Sequence, residues 1–462
     1  MFIGRSKELA ELDRLYHSDN FELVVMYGRR RVGKTALINS FIEGRNAIYF
    51  MGVESNAKQN LENFTQSIFQ AESLSLTVSF SNFQSALEYV FQKSQKERLI
   101  LAIDEYPYVA KSERSFASTL QLLIDRYQST SKLMLILCGS SMSYMKDEVL
   151  AYKAPLYGRR TAQMRIDPFE FEEASKFLTA FNREDSALLY GMVGGTPQYL
   201  KQIDSSLSVK ENILRTFLNP NSAFFEEPEN LLKQEVREPA TYNAILSALA
   251  SGASKLSEIA SKVGENTATC SSYLNNLIRL GIVKKEVPFG QKENARKTLY
   301  VIDDPMFRFW FRFVAPNQSL IVRGAANIAY ERISPHLNDY MGAVFEEICK
   351  QYLWRNLLQG ESPVAFSHLN RWWGTDSRTK ASVEIDIVGE ENKDKALLAE
   401  CKWRNELTDW AVLENLMQKR NLFRFSEVIF FAFSKRGFSK YCLDQAKKRT
   451  DVRLISFSEM FE

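Results

Sequence analysis

The sequence predicts an α/β protein with an N-terminal parallel β-sheet and a second, smaller α/β domain near the C-terminus. Residues 23–27, 99–103 and 133–138 are apolar at nearly every position, as expected of strands that are covered on both faces. The first of these runs leads through a glycine-containing loop into residues 36–42, which have helical spacing. Further along, residues 383–388 alternate between charged and apolar side chains, as a strand with one exposed face does.

Length and composition limit the classes of protein to consider. A chain of 462 residues is too long for one hydrophobic core and suggests about three domains. The hydrophobic fraction of 45% and the net charge of +3 are ordinary and identify no partner. The five cysteines form no Cys-x-x-Cys pair, which indicates reduced thiols and a cytoplasmic protein. No apolar run approaches the roughly 20 residues of a membrane helix, so no membrane association is expected.

A phosphate-binding loop is predicted between the first strand and the following helix. It consists of Gly28, Arg29, Arg30, Arg31, Val32, Gly33, Lys34 and Thr35. The two glycines let successive backbone N–H groups and the helix N-terminus point at phosphate oxygens. Lys34 adds a positive charge near the β- and γ-phosphates, and the Thr35 hydroxyl can bind Mg²⁺. The strand and helix around this loop favour an ATP site over a chance glycine-rich turn.

Two acidic residues end the second long apolar run. Asp104 and Glu105 follow residues 99–103, at the edge where parallel sheets bind ligands. Beside a phosphate-binding loop, Asp104 is expected to help hold Mg²⁺, and Glu105 to act as the general base that orients and deprotonates water. Without such a loop the same pair would indicate only a solvated turn.

Arg159 and Arg160 precede the predicted strand at residues 163–166. Arginine can stabilise the charge that develops in phosphoryl transfer, delivered within one chain or from a neighbouring copy. Delivery from a neighbour would imply a homo-oligomer. The alternative is that both are solvated surface arginines, and the sequence does not decide between these interpretations.

Six motifs in a fixed order resemble the archaeal and bacterial AAA+/STAND-related ATPases that carry a nuclease-like C-terminal domain. They are residues 2–5 (Phe-Ile-Gly-Arg), 28–35, 103–108 (Ile-Asp-Glu-Tyr-Pro-Tyr), 138–141 (Cys-Gly-Ser-Ser), 155–161 (Pro-Leu-Tyr-Gly-Arg-Arg-Thr) and 194–200 (Gly-Gly-Thr-Pro-Gln-Tyr-Leu). The resemblance covers residues 1 to about 220. It implies that Ser140 or Ser141 is a sensor of the γ-phosphate, and that Pro197 lies against the nucleotide in a helical lid. From composition alone these two segments are a loop and a helix-to-helix turn.

The middle of the chain predicts a winged helix-turn-helix. Helical segments at residues 242–249, 256–264 and 266–280 are followed by a hairpin with its tip near Gly290. The third helix carries polar amides but little charge, whereas the hairpin supplies the cations Lys284, Lys285, Lys292, Arg296 and Lys297. DNA contact and docking within the protein are both open. The aromatic residues at 307–313 predict a buried helix rather than a stacking platform for single strands.

Four residues of the C-terminal segment predict a site for Mg²⁺ or Mn²⁺. Alternation along two strands gives Asp386 a place beside Glu400 and Lys402, and Glu346 lies on a preceding helix. Carboxylate oxygens suit these cations, and a lysine can stabilise charge on phosphate. The pattern resembles the core of the PD-(D/E)xK nucleases, which implies that Asp386, Glu400 and the helix carboxylate Glu346, or its neighbour Glu347, bind metal. An ordinary charged edge on two strands is the other interpretation.

The expected organisation has five parts: a P-loop ATPase core (1–167), a helical lid (168–220), a winged helix-turn-helix (221–305), a connecting segment (306–332) and a restriction-endonuclease-like domain (333–462). The predicted function is ATP hydrolysis with Mg²⁺, coupled to a domain that binds or cleaves DNA. The alternative is a nucleotide-driven regulatory switch whose nuclease-like domain binds nucleic acid or protein without cutting.

Overall fold

A computed structural model describes residues 2–72, 79–293, 297–377 and 379–461. The chain divides into two compact units. The first comprises Met1–Pro168 and Thr196–Gln198, and the second comprises Phe169–Gly195 and Tyr199–Glu462. Arg296, one of the predicted hairpin cations, lies outside the described residues.

The first unit is built on a five-stranded sheet. Its strands are β1 (Glu22–Tyr27), β2 (Ala47–Met51), β3 (Leu99–Asp104), β4 (Leu133–Gly139) and β5 (Ala162–Arg165). They lie in the order β2-β3-β4-β1-β5, and every neighbouring pair is parallel. The predicted parallel α/β sheet is therefore confirmed. Strands β1, β3 and β4 are buried along their whole length, which explains their continuous apolar sequence.

Helices cover this sheet and place its loops. They are α1 (Ser6–Tyr16), α2 (Lys34–Ile42), α3 (Ala57–Ala71), α4 (Phe83–Ser94), α5 (Tyr106–Ser112), α6 (Phe116–Tyr127) and α7 (Met142–Tyr144), the last continued by a π-helical turn at Met145–Val149. Leu37, Ile38 and Phe41 of α2 pack with β1, β3 and β4 in one core. This packing fixes the start of α2 next to the ends of the central strands.

The second unit begins with helices and a short hairpin. The elements are α8 (Phe171–Ser175), α9 (Arg183–Val193), α11 (Val209–Thr216), α12 (Glu227–Glu235), α13 (Pro239–Ala250), α14 (Leu256–Val263), α15 (Thr267–Arg279), β6 (Val283–Glu286) and β7 (Leu299–Ile302). Helix α10 (Pro197–Leu200) begins in the first unit and ends in the second. Helices α13–α15 and the antiparallel β6–β7 pair are the elements from which a winged helix was predicted. That assignment itself stays a prediction.

A buried helical segment follows the hairpin. It comprises α16 (Pro305–Phe309), a π-helical turn at Trp310–Val314, α17 (Gln318–Val322), α18 (Ala326–Ile333) and the long α19 (Leu337–Leu358). The aromatic side chains at 307–313 are at most 5% exposed. The indole N–H of Trp310 donates to the carbonyl oxygen of Phe225 at 2.8 Å. These rings are buried, as predicted, and do not form a stacking platform.

A separate mixed sheet ends the chain. Its strands are β8 (Asn370–Thr375), β9 (Ser382–Glu391), β10 (Lys395–Lys402), β11 (Glu427–Ser434) and β12 (Val452–Ser456), with helices α20 (Trp410–Lys419) and α21 (Lys440–Ala446). The order is β12-β11-β10-β9-β8; the pairs β8–β9 and β9–β10 are antiparallel, and β10–β11 and β11–β12 are parallel. This confirms a second α/β sheet domain. In the described part of the chain, no helix is long and apolar enough to cross a membrane.

Candidate functional site

The predicted phosphate-binding loop connects the buried strand β1 to helix α2. A Cβ atom on Gly28 would lie 2.2 Å from the carbonyl oxygen of Ile166, which follows β5, so only glycine fits there. Gly33 has a φ of 93°, a backbone conformation that side chains disfavour, and it immediately precedes α2. The close approach of β5 and the turn into the helix therefore account for the two glycines.

Lys34 is the buried cation of this loop, with 5% of its surface exposed. Its ammonium group donates to the carbonyl oxygens of Gly28 at 2.9 Å and Arg29 at 2.8 Å. Burial lowers the pKa of Lys34, and the nearby Cys138, Glu105 and Asp104 oppose this shift. The ammonium group is thus held inside the loop that is expected to surround the phosphates.

The ends of β3 and β4 meet the start of α2. The Thr35 hydroxyl donates to Oδ2 of Asp104 at 2.6 Å, and the backbone N–H of Glu105 donates to Oδ1 at 2.9 Å. The Ser140 hydroxyl donates to Oε2 of Glu105 at 2.9 Å. The structure therefore brings together four side chains that the sequence predicts from three separate segments. Thr35 and Asp104 offer the hard oxygen donors that Mg²⁺ prefers, so the site fits this cation.

The remaining loop residues also lie at this edge. A guanidinium nitrogen of Arg30 donates to the hydroxyl of Tyr108 at 3.3 Å. Arg31 has a φ of 72°, and the buried Val32 accepts a hydrogen bond from Arg5 through its carbonyl oxygen at 3.0 Å. A Cβ atom on Gly33 would lie 3.6 Å from Cγ of Pro197, so this proline adjoins the loop.

The C-terminal sheet brings its predicted residues to neighbouring positions on β9 and β10. The backbone N–H of Cys401 donates to Oδ2 of Asp386 at 2.8 Å. The Lys402 ammonium group lies 2.6 Å from Oε1 of Glu400, and that of Lys419 lies 3.2 Å from Oε2. Burial and the neighbouring Glu400 raise the pKa of Asp386 above its ordinary value. Both oxygens of Glu400 are therefore held by lysines.

Glu346 approaches this sheet from α19 but is paired with an arginine. Nε of Arg371 lies 3.5 Å from a Glu346 oxygen, and the same guanidinium contacts Glu384. Burial, with a contribution from Asp386, raises the pKa of Glu346. Within the described ranges, no group of three or more His, Cys, Asp or Glu side chains is arranged to hold a metal ion. Arg371 pairs with Glu346, and Lys402 and Lys419 pair with Glu400. This arrangement does not fit the predicted Mg²⁺ or Mn²⁺ site. The metal role of Glu346, Asp386 and Glu400 stays a prediction.

Comparison with known proteins decides the family. A family model described as an "ATPase domain predominantly from Archaea" matches residues 2–203. A second model, described as "Archaea bacterial proteins of unknown function", matches residues 310–418. An uncharacterized protein of Methanocaldococcus jannaschii is 33% identical over 406 residues, which cover 88% of each chain. The chain belongs to this archaeal ATPase family.

More distant similarities concern parts of the chain. An uncharacterized ATP-binding protein of Methanocaldococcus jannaschii is 21% identical over 269 residues, 47% of this ATPase and 74% of that protein. The Walker-type ATPase of Pyrococcus abyssi is 21% identical with a TM-score of 0.49, covering 67% of this chain and 96% of that one. The ORC2 protein of Aeropyrum pernix is 14% identical with a TM-score of 0.44, covering 69% and 94%.

The two predicted arginines of the ATPase domain lie near the amino-terminal end of β1, opposite the end that leads into the loop at Gly28. The backbone N–H of Thr161, just before β5, donates to the carbonyl oxygen of Leu23, near the start of β1. From there the strand runs about 16 Å to the loop at Gly28, at about 3.3 Å per residue. Arg159 is paired with Asp125 of α6 at 2.7 Å, and Arg160 donates to the carbonyl oxygen of Leu150 at 3.1 Å. These contacts do not favour delivery of either arginine to the proposed ATP site of its own chain. A role in phosphoryl transfer, within one chain or in a second copy, stays a prediction.

The hairpin β6–β7 of the second unit packs against the C-terminal sheet. The buried Phe289 belongs to the core cluster of that sheet, and its backbone N–H donates to the carbonyl oxygen of Arg371 at 2.9 Å. Glu286 lies 3.4 Å from the Arg371 guanidinium, and Lys284 lies 3.7 Å from Glu347. Burial alone would lower the pKa of Lys284, but the carboxylates of Glu347, Asp303 and Glu286 outweigh burial and raise the pKa. These contacts favour docking of the hairpin within the protein.

Several residues of both sites were not predicted from the sequence. Tyr49 of β2 donates its hydroxyl to Asp104. Arg5 lies in the first motif without a predicted role, and it donates to the carbonyl oxygens of Val32 and Asp167. At the C-terminal site the missed residues are Lys419, Arg371 and Glu286. Each of these residues comes from an element that is distant in sequence from its partner, and the local spacing of residues does not predict such contacts.

Proposed function

We propose that the N-terminal unit binds and hydrolyses ATP with Mg²⁺. The observation that carries this proposal is the meeting of three segments, in which Thr35 contacts Asp104 and Ser140 contacts Glu105. Such convergence at the carboxyl ends of parallel strands is the arrangement that phosphoryl-transfer sites require. Membership of the archaeal ATPase family supports the same reaction.

Each side chain has a role that follows from its position. Backbone N–H groups of the loop and the Lys34 ammonium group bind the phosphate oxygens and neutralise their charge. Glu105 orients the attacking water and accepts its proton, and Ser140 holds the Glu105 carboxylate in position by donating to it. Thr35 and Asp104 would hold Mg²⁺, which supplies positive charge to the phosphate oxygens when bound.

Two variants test the ATPase proposal. Lys34→Ala should lose nucleotide binding, measured by titration with a fluorescent ATP analogue. Glu105→Gln should bind the analogue as well as the unmodified protein does, but release phosphate about 100-fold more slowly or worse. Arg404→Gln, in the other unit, is the control and should leave phosphate release unchanged. Hydrolysis at the normal rate by Glu105→Gln would exclude Glu105 as the base.

We propose in addition that the C-terminal domain acts on DNA. The supporting observation is the clustering of Lys402, Lys419 and Arg371 around carboxylates on the adjacent strands β9 and β10, since such cations can bind phosphate. The pattern Asp386, Glu400 and Lys402 favours cleavage, whereas the pairing of Glu346 and Glu400 with cations favours binding without cleavage. We propose that the hairpin is the wing of a winged helix; it packs against the C-terminal sheet. The exposed side of α15 stays available to DNA.

One set of measurements separates these alternatives. Purified protein is mixed with supercoiled plasmid and with labelled duplex in Mg²⁺ or Mn²⁺, with and without ATP. Cleavage that disappears in Asp386→Ala would establish a nuclease. Binding without cleavage that weakens in Lys402→Ala would establish a DNA-binding module. If the protein neither binds nor cleaves DNA, the DNA proposal is overturned and the regulatory switch remains.

A further inference from the structure

Tyr49 contacts the magnesium-binding carboxylate of the proposed ATP site without being part of any predicted motif. Strand β2 pairs in parallel with β3, so that Tyr49 lies opposite Ala102 and Met51 lies opposite Asp104. From this position the Tyr49 hydroxyl reaches forward and donates to Oδ2 of Asp104 at 3.0 Å. The same oxygen accepts from Thr35 at 2.6 Å.

The Asp104 carboxylate is thereby held on both of its oxygens. Oδ2 accepts from Thr35 and Tyr49, and Oδ1 accepts from the backbone N–H of Glu105. Asp104 itself is only 1% exposed, so water cannot easily replace a lost donor. Tyr49 is therefore one of three hydrogen-bond donors that hold this carboxylate.

We infer that Tyr49 is a positioning residue that orients Asp104 for Mg²⁺-dependent nucleotide binding. The inference rests on the proposed ATPase function and adds β2 to the segments that build the site. Hydrogen bonds from outer side chains to metal-binding carboxylates fix their orientation, and losing one typically lowers metal affinity by about 10- to 100-fold. Because Thr35 and Glu105 remain as donors after Tyr49 is changed, the lower end of this range is expected.

Tyr49→Phe removes the hydroxyl and keeps the ring. Binding of a fluorescent ADP analogue is titrated with Mg²⁺ and, separately, measured in EDTA. We expect about 10-fold more Mg²⁺ to be needed for half-maximal strengthening of binding, with unchanged affinity in EDTA. A purely structural role would instead weaken binding in both conditions.

Tyr27→Phe is the matched control. Tyr27 is a tyrosine of the same sheet whose hydroxyl accepts a hydrogen bond from Gln163 at 3.0 Å. It should show the Mg²⁺ dependence of the unmodified protein. An unchanged Mg²⁺ dependence in Tyr49→Phe, or an equal loss of affinity in EDTA, would overturn the positioning role and leave the ATPase proposal intact. Failure of the unmodified protein to bind the analogue would overturn both.

Discussion

The docking of the hairpin tip on the C-terminal sheet can be tested at Phe289. This side chain is 4% exposed and packs with Ile385, Val388 and Leu398 in the core cluster of the sheet. Its ring also lies 5.6 Å from that of His368, centroid to centroid. Phe289→Ala would remove the only large anchor that we identify at the tip among the described residues 281–293.

The expected magnitude follows from this burial. Truncating a buried phenylalanine to alanine costs about 3–5 kcal/mol, and the lower value suits a site at the edge of a cluster. A hairpin free in solvent would make the same change worth at most about 0.5 kcal/mol. If docking holds β6 and β7 in place, a loss of about 3 kcal/mol corresponds to about 100-fold faster exchange of their amide hydrogens.

Hydrogen exchange followed by mass spectrometry measures this change segment by segment, which suits a chain with more than one folded unit. The readout is the set of peptides covering β6 and β7. Tyr441→Ala is the control, because Tyr441 is 58% exposed on α21 of the same domain and its loss should leave these peptides unaffected. Exchange in the hairpin that rises less than about 3-fold in Phe289→Ala would refute the docking argument.

Three further predictions concern the ATPase domain. Ser140→Ala removes the donor to Glu105 and should lower the maximal rate of phosphate release by about 10- to 100-fold without changing nucleotide affinity, measured by steady-state kinetics. Gly28→Ala places a methyl group 2.2 Å from the carbonyl oxygen of Ile166 and should cost about 1–3 kcal/mol in denaturant unfolding, whereas Gly342→Ala, with open space around it, should not. If Arg159 and Arg160 act on a second copy, hydrolysis per subunit should rise with protein concentration. The Arg159→Ala, Arg160→Ala variant should abolish that rise, and a rate independent of concentration in the unmodified protein would exclude the role.

Much of the proposed ATP site could be predicted because its residues are adjacent in sequence to strong structural signals. Lys34 and Thr35 follow a buried strand and open a helix, and Asp104 and Glu105 end another. Local order along the chain is enough in these cases, because all parallel strands end at the same edge of the sheet. The apolar run of β11, at residues 428–433, is an equally clear strand signal.

The C-terminal site shows where such reasoning ends. Alternation correctly gave Asp386, Glu400 and Lys402 neighbouring positions on β9 and β10. It did not reveal that Lys419 and Arg371 occupy the oxygens of the carboxylates expected to bind metal. A strand pattern specifies which face a side chain takes but not which distant charge will pair with it.

The sequence by itself thus determined the α/β class, the glycine-containing loop between β1 and α2, and the acidic end of β3, because each depends on residues close together along the chain. Only the tertiary structure decided that Arg159 lies away from the loop end of β1, that Tyr49 reaches Asp104 and that Phe289 enters the C-terminal core. These three facts depend on strand order and on docking between elements far apart in sequence. Local periodicity carries no information about either, since the same pattern of apolar and polar residues is compatible with several neighbours.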